Sequence, residues 1–432
     1  MVNFFRLLDS DRHISFCPMN FVADTYIGCP HACRYCYAPS YTFRGKLDNV
    51  LQNFRNFKRR FKSESDFDKI KKAITLGYVK GTCAPEQEYL ISNAIKHRHP
   101  LRIGSVSEPL GIPLESTYGD TYHILEILIE NNYPFVICTK SPLIATPKYV
   151  NLLKSTKNVA VQISLISIDD NLLKYIESGP ERATPSAKAR IDTLRKLSEE
   201  GIFTTCRIQP LIPEVTERGM KDLIFKLAEI GVKHVIVEFL WFPIAHAREI
   251  SNILKMALDA YCESDGTVGE RLKLFNNDLY SLYTSFNDSV KDYGRLFYSK
   301  KRIAELMPKY AEMVSEANKE FNSDMTFGSG NEETSYLNVT PNCCGVDRLP
   351  DFSGYPKCIA QTMLKIAKEK GRASLGEMKE YYSPDMNRFE KLWKRKVDEK
   401  TYFFEERMFK LRAVEKHYSE IEYVYDEKAV PN

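Results

Sequence analysis

Between residues 101 and 242 the chain repeats one pattern: a short apolar run rich in β-branched residues, then an amphipathic stretch. The runs are LRIGSVS (101–107), PFVICTK (134–140), NVAVQISLIS (158–167), FTTCRIQP (203–210) and HVIVEFLW (234–241). Runs that are apolar throughout, rather than alternating, belong to strands buried on both faces, the habit of parallel sheets. Between them, Ile191, Leu194 and Leu197 recur at helical spacing ahead of Gly201, and Leu223, Ile224, Leu227 and Ile230 do so ahead of Gly231. An earlier run, FVADTYI (21–27), adds a sixth strand. Strand–helix alternation of this kind predicts an α/β fold built on a parallel sheet. Six βα units suit an incomplete barrel better than a closed eight-stranded one.

The flanks are read more coarsely. Residues 43–100 look like a helical insertion after the first strand, and residues 1–245 are expected to form the barrel. Residues 246–432 are expected to be a mostly helical region containing a cysteine-rich loop at 343–358. Within the insertion, FRNFKRRFKSESDFDKIKK carries eight Lys or Arg against three acids, either a solvated helix face or a polyanion contact. The whole chain has 432 residues and a formal charge of +4, too balanced to announce a nucleic-acid protein and no argument against one. No apolar run reaches membrane-spanning length, and MVNFFRLLDSDRH lacks a signal-peptide core, so a cytoplasmic protein without membrane contact is expected.

Eleven cysteines without an export signal argue for thiols or metal ligands rather than a disulfide framework. Cys29, Cys33 and Cys36 sit directly after the first strand in GCPHACRYCY, spaced C-x3-C-x2-C. Three thiolates on one loop can hold three corners of a cubane iron–sulfur cluster, leaving the fourth iron open to a small molecule. An open coordination position turns a metal site into a reactant, as it does on catalytic zinc. The alternatives are a zinc site, which wants four ligands and has no second cysteine pair nearby, and three structural thiols. His31, inside the loop, is expected to face solvent.

CPHACRYC resembles the radical S-adenosylmethionine (SAM) motif, in which three cysteines bind a 4Fe–4S cluster and an aromatic residue, here Tyr35, precedes the third. The resemblance implies a partial (β/α)6 TIM-like barrel, agreeing with the six units counted above. It also implies reductive cleavage of SAM to methionine and a 5′-deoxyadenosyl radical that abstracts hydrogen from a substrate. SVSEPLGIPLES, TKSPLI, QISLIS, ATPSAKARIDTLRKLSEEGI and RIQPLIP narrow the likeness to the spore photoproduct lyase-like branch, over about residues 20–242. One departure stands out. Those lyases use a cysteine just after the second strand as hydrogen donor, whereas IGSVSEP has serines there. Repair of the thymine spore photoproduct itself is therefore not implied, and Cys138 is read as a buried apolar thiol.

In parallel βα folds the reactive groups gather at the C-terminal ends of strands. The resemblance places Ser107 and Glu108 by the amino group of SAM, and Lys140, Ser164 and Arg207 by its carboxylate or ribose. An external reductant of the flavodoxin or ferredoxin kind is implied as partner. The second cysteine group, Cys343, Cys344 and Cys358, is open to three readings: an auxiliary cluster, some other redox use, or inert packing. Nucleic acid is the first choice of substrate. The rivals are a peptide or small metabolite, served by a second redox site, and a non-catalytic iron–sulfur electron-transfer protein.

Overall fold

The computed structural model describes residues 4–7, 19–31, 33–80, 85–178, 184–265, 278–289, 291–292, 294–339, 342–353, 366–374, 377, 411–416 and 420–425. Its centre is one eight-stranded sheet with strands β1 (Phe5–Leu7), β2 (Phe21–Ala23), β3 (Leu101–Ile103), β4 (Phe135–Thr139), β5 (Val159–Ser164), β6 (Phe203–Leu211), β7 (His234–Phe239) and β8 (Thr326–Ser329). Sheet order follows chain order, with β1 and β8 at its two ends. β1 is antiparallel to β2, and every later pair is parallel. All six anticipated strands are present, in the anticipated order, and β8 adds a seventh parallel one.

Two apolar layers explain why the strands read as continuous runs. On the outer face Ile137, Val161, Ile163, Ile208, Val235 and Val237 pack in one large core with helix residues such as Ile124, Leu128, Leu153, Leu194, Leu197, Leu223 and Leu227. Their neighbours Val136, Ala160 and Ile236 face the other way, into a second cluster with Met19, Cys344, Val346, Leu349 and Phe352. The segment from Asn342 to Phe352 thus plugs the inside of the curved sheet at its lower end. Helix Ala187–Glu199 shows how the crossovers are made. The Ser186 hydroxyl accepts from Ala189 N–H at 3.1 Å, Leu194 and Leu197 are fully buried, and Gly201 follows in the left-handed conformation.

The insertion holds helices Leu47–Arg55, Glu64–Leu76 and Pro85–Lys96. After β7 come helices Ala247–Asp265, Leu279–Ser285 and Lys300–Phe321. The tail departs from its helical expectation: Leu411–Lys416 and Glu420–Tyr425 pair as antiparallel strands, and Arg372–Ala373 joins them. Trp393 and Cys358 lie outside the described residues. The eight described cysteines are all free thiols. No helix among the described residues is long and apolar enough to cross a membrane.

His234 ties the plug to the sheet. Its Nε2 donates to the Cys343 carbonyl at 2.7 Å, and its Nδ1 lies 2.8 Å from the Thr326 hydroxyl. Burial pushes its pKa down to about 4. The folded chain thus refuses a proton that the unfolded chain accepts near pH 6.5. Stability is whole above that value and declines as pH falls from about 6.5 to about 4, by roughly 3 kcal/mol. Thermal unfolding followed from pH 7.5 to 4.5 should show this decline, and His234→Gln should flatten it. An equal slope in the variant would clear His234 of the effect.

Candidate active site

The cysteine loop is strapped down by backbone hydrogen bonds on two sides. Cys29 N–H donates to the Phe54 carbonyl at 3.0 Å, and Arg34 N–H donates to the Ile176 carbonyl at 2.9 Å. Gly28 makes the first strap reachable: its φ is +78°, and a Cβ there would collide with the Phe54 carbonyl oxygen. The three thiols line one cavity at the C-terminal ends of the strands, and Tyr35, Ser107, Glu108, Lys140, Ser164 and Arg207 line it with them. The structure therefore brings every site residue expected of the first half of the chain to a single chamber.

The donor set fits a cluster. Burial, and then mutual repulsion, raises the Cys29 thiol well above its ordinary value and pushes Cys36 up to about 12; burial also raises Cys33 to about 11. Three crowded thiols of this kind ionise when an iron core supplies positive charge, as coordinating thiols do. Among the described residues no three His, Cys, Asp or Glu side chains gather closely enough to share one metal ion. A cubane does not require that, because each thiolate binds its own iron.

Beside the loop lies a buried ionic network that the sequence did not single out. Glu177 is fully buried and takes the Arg190 guanidinium at 2.6 Å and the Lys140 ammonium at 2.5 Å. The Tyr35 hydroxyl donates to the same carboxylate, and Lys140 also reaches that hydroxyl at 3.1 Å. Two cations share one anion, so the Lys140 side of the cavity keeps a net positive charge. Burial alone would raise Glu177, but Arg190 and Lys140 outweigh it and hold it near 2. Arg207 has a different environment. It donates to the amide oxygens of Gln162, at 2.8 Å, and of Gln209. These neutral partners fix its direction without cancelling its charge.

His31 does not face solvent. Its Nε2 lies 3.2 Å from Glu108 Oε2, with the imidazole only 10% exposed. Glu108 also accepts from Thr139 Oγ1, from Lys140 N–H at 2.9 Å and from Leu110 N–H at 3.1 Å. Burial works against its charge, and these donors overcome it, keeping the carboxyl below its ordinary pKa. Ser107 is held through Asp24, whose Oδ1 accepts from the backbone N–H groups of Val106 and Ser107 at 3.0 and 3.1 Å. Cys138, expected as a buried apolar thiol, is half-buried instead: it lines the same chamber and donates to Gln162 Oε1 at 3.3 Å. The Cys344 sulfur lies 3.6 Å from the Arg102 guanidinium. A hydrogen bond from Cys343, together with Arg102 and Arg207, outweighs burial and pulls the Cys344 thiol below its ordinary range.

The mouth of the cavity is aromatic. Tyr37 and Trp241 line it with ring centroids 5.0 Å apart, and Tyr41 meets Trp241 edge-on at 5.8 Å. The Arg295 guanidinium lies 4.3 Å over the Trp241 ring and donates to the Tyr41 hydroxyl at 2.9 Å. Tyr37 and Tyr41 are exposed. The basic stretch of the insertion is partly consumed by pairing within the chain. Arg59 pairs with Asp120 at 2.7 Å, Lys71 with Glu130 at 2.7 Å and Lys69 with Asp66 at 3.5 Å, while Arg60 donates to the Asp24 carbonyl at 2.8 Å.

Residues 25–227 match the Radical SAM superfamily. This stretch is a radical SAM domain. Superfamily members are enzymes that use a 4Fe–4S cluster and SAM for radical chemistry, and they generally draw on an external reductant. An uncharacterized protein of Mycobacterium bovis is 26% identical over 225 residues, covering 51% of this chain and 58% of that protein. The chain thus spans well under two thirds of that relative. A Pseudomonas phage M6 protein described as a radical SAM Nalpha-GlyT isomerase is 26% identical over 191 residues, 41% of this chain and 38% of the phage protein. Among solved structures, a spore photoproduct lyase variant with dinucleoside spore photoproduct has a TM-score of 0.48 at 15% identity, covering 74% of this chain and 78% of the lyase. Streptococcus suis SuiB bound to S-adenosylmethionine has a TM-score of 0.40 at 13% identity, covering 73% of this chain and 51% of SuiB. Within the radical SAM domain the cysteine loop opens the matched stretch, and Lys140, just past the end of β4, lies inside it with Ser164 on β5 and Arg207 on β6.

Proposed function

We propose that the chain is a radical SAM enzyme acting on a substrate that bears a nucleobase, a nucleic acid or a piece of one. The observation that carries this reading is the mouth formed by Tyr37, Tyr41, Trp241 and Arg295. The exposed Tyr37 and Tyr41 rings, backed by the buried Trp241, offer stacking to a planar base, and the Arg295 guanidinium beside them suits a phosphate. When bound, the cluster and SAM supply the electron and the hydrogen-abstracting radical. The chain's own part is to hold and orient. Cys29, Cys33 and Cys36 are the cluster ligands in this reading. Lys140 and Arg207 take the SAM carboxylate and ribose, because both bring positive charge to the cavity on rigid supports. Tyr35, Ser107, Glu108 and Ser164 line the remaining contacts, with Glu108 aligned by His31 and Thr139.

The test is 5′-deoxyadenosine formation with dithionite and SAM, with and without a single-stranded oligonucleotide. Oligonucleotide should raise turnover and yield an altered base or linkage by mass spectrometry; stimulation by peptide alone would overturn the reading. Tyr41→Ala should weaken oligonucleotide binding by about 1–3 kcal/mol, measured by fluorescence anisotropy, with folding unchanged because the ring is exposed. Lys140→Ala or Arg207→Ala should lower SAM affinity about tenfold to hundredfold by calorimetry. Unchanged affinity would remove that residue from the SAM site.

A further inference from the structure

The cluster chamber has an outer wall as well as a mouth, and the charge of that wall is one-sided. From Phe43 to Lys62 the chain carries Arg44, Lys46, Arg55, Lys58, Arg59, Arg60 and Lys62 against a single acid, Asp48. Arg59 and Arg60 are turned inward to Asp120 and the Asp24 carbonyl. Arg44, Lys46, Arg55, Lys58 and Lys62 are exposed. The segment lies directly over the cysteine loop. Helix Leu47–Arg55 supplies the Phe54 carbonyl that takes Cys29 N–H, and Lys58 pairs with Ile27, just before Gly28.

A shallow groove runs along the outside of this helix, bounded by Asp48, Leu51, Gln52, Arg55 and Asn56. Leu51 and Arg55 also line the chamber that holds Cys29, Cys33 and Cys36. The partition between outer groove and chamber is therefore a single layer of side chains. On the other side, the strand ends and the aromatic mouth are the places for SAM and substrate. An electron donor that must approach while those are bound needs a different face.

We propose that this groove and its basic border are the docking surface for an acidic one-electron carrier protein, which passes its electron to the cluster across Leu51 and Arg55. This rests on the reading that the three cysteines hold the cluster. The step is pure electron transfer: the carrier is oxidised by one electron, the cluster is reduced by it, no bond forms or breaks, and no proton need move. Thin walls favour such transfer, and opposite charges steer the encounter, with rate gains that fade as salt rises.

The experiment uses the reconstituted full chain under anaerobic conditions in stopped flow. Bleaching of the cluster's visible absorption is followed with reduced flavodoxin as an acidic donor, and separately with dithionite. Lys46→Glu/Lys58→Glu is compared with the unaltered chain across a salt series. The expected result is a fall of about tenfold or more in the second-order rate with flavodoxin at low salt, with its salt dependence flattened. Dithionite bleaching should stay within about twofold, since a small reductant needs no docking face. An unchanged flavodoxin rate in the variant overturns the proposal. So does an unchanged flavodoxin rate accompanied by lost oligonucleotide binding, which assigns the face to nucleic acid instead. A reconstituted chain that shows no absorption bleachable by dithionite overturns the cluster reading itself, and the docking surface with it.

Discussion

Cys33→Ala should yield no 5′-deoxyadenosine above background when given SAM and dithionite, and should bind far less iron than the unaltered chain. Cys33 shares the chamber with Cys29 and Cys36, so its loss removes one of the three protein ligands offered there. The fold should survive. The loop is held by backbone hydrogen bonds at Cys29 and Arg34, which the substitution leaves in place. Losing a partly buried thiol should cost only about 1 kcal/mol, seen as a small shift in the melting temperature. Full SAM cleavage by this variant would sink the triad's assignment. An unaltered chain that takes up iron but never yields 5′-deoxyadenosine would instead favour the electron-transfer rival.

Arg190→Ala should be among the most destabilising single changes in the barrel, by about 3–5 kcal/mol, because it strands the buried Glu177 carboxylate with Lys140 as its remaining cation. At about 2–4 °C per kcal/mol for a domain of this size, the melting temperature should fall by roughly 10 °C. Replacing Glu177 and Arg190 together with methionine should cost less than Arg190→Ala alone, since the fully buried carboxylate is then gone and only Lys140, which lines the cavity, loses its partner. The network also sets an acid limit. Glu177 is held near 2, below its unfolded value of about 4.3, so its contribution is complete above that value and disappears as pH falls toward 2. A melting temperature for Arg190→Ala within a degree or two of the unaltered chain would show that the pair adds nothing net.

The strands and the cysteine loop were legible because each obeys a local rule. Strands buried on both faces must be apolar at every position, and thiolates that share one cluster must be close in sequence or brought close by a turn. Strand order then put Ser107, Lys140, Ser164 and Arg207 at one end of the sheet without further information. Other features were illegible for physical reasons. β8 is the short run Thr326–Ser329, with too little apolar pattern to stand out, and it is a strand because β7 offers it an edge. Glu177 looks like any acid at a helix end. Arg190 was readable in hindsight: it lies four residues before Leu194 and seven before Leu197, on the stripe that faces the core. The tail misled because its charges suggested a solvated helix. EIEYVY, read for β-branched and aromatic residues instead, has the composition of a strand.

The plug beneath the barrel sets an order of events during synthesis. β2 to β7 emerge first, and of the described residues that cover their inward apolar layer of Val136, Ala160 and Ile236 only Met19 has then been made. Its cover, Val346, Leu349 and Phe352, is made only after β8 has been translated. The radical SAM domain thus has its cysteine loop early in the sequence but borrows its floor from residues far downstream. Contacts of such long separation form late. A nascent chain should therefore pass through a stage in which the cysteine loop is already present above an interior still open from below.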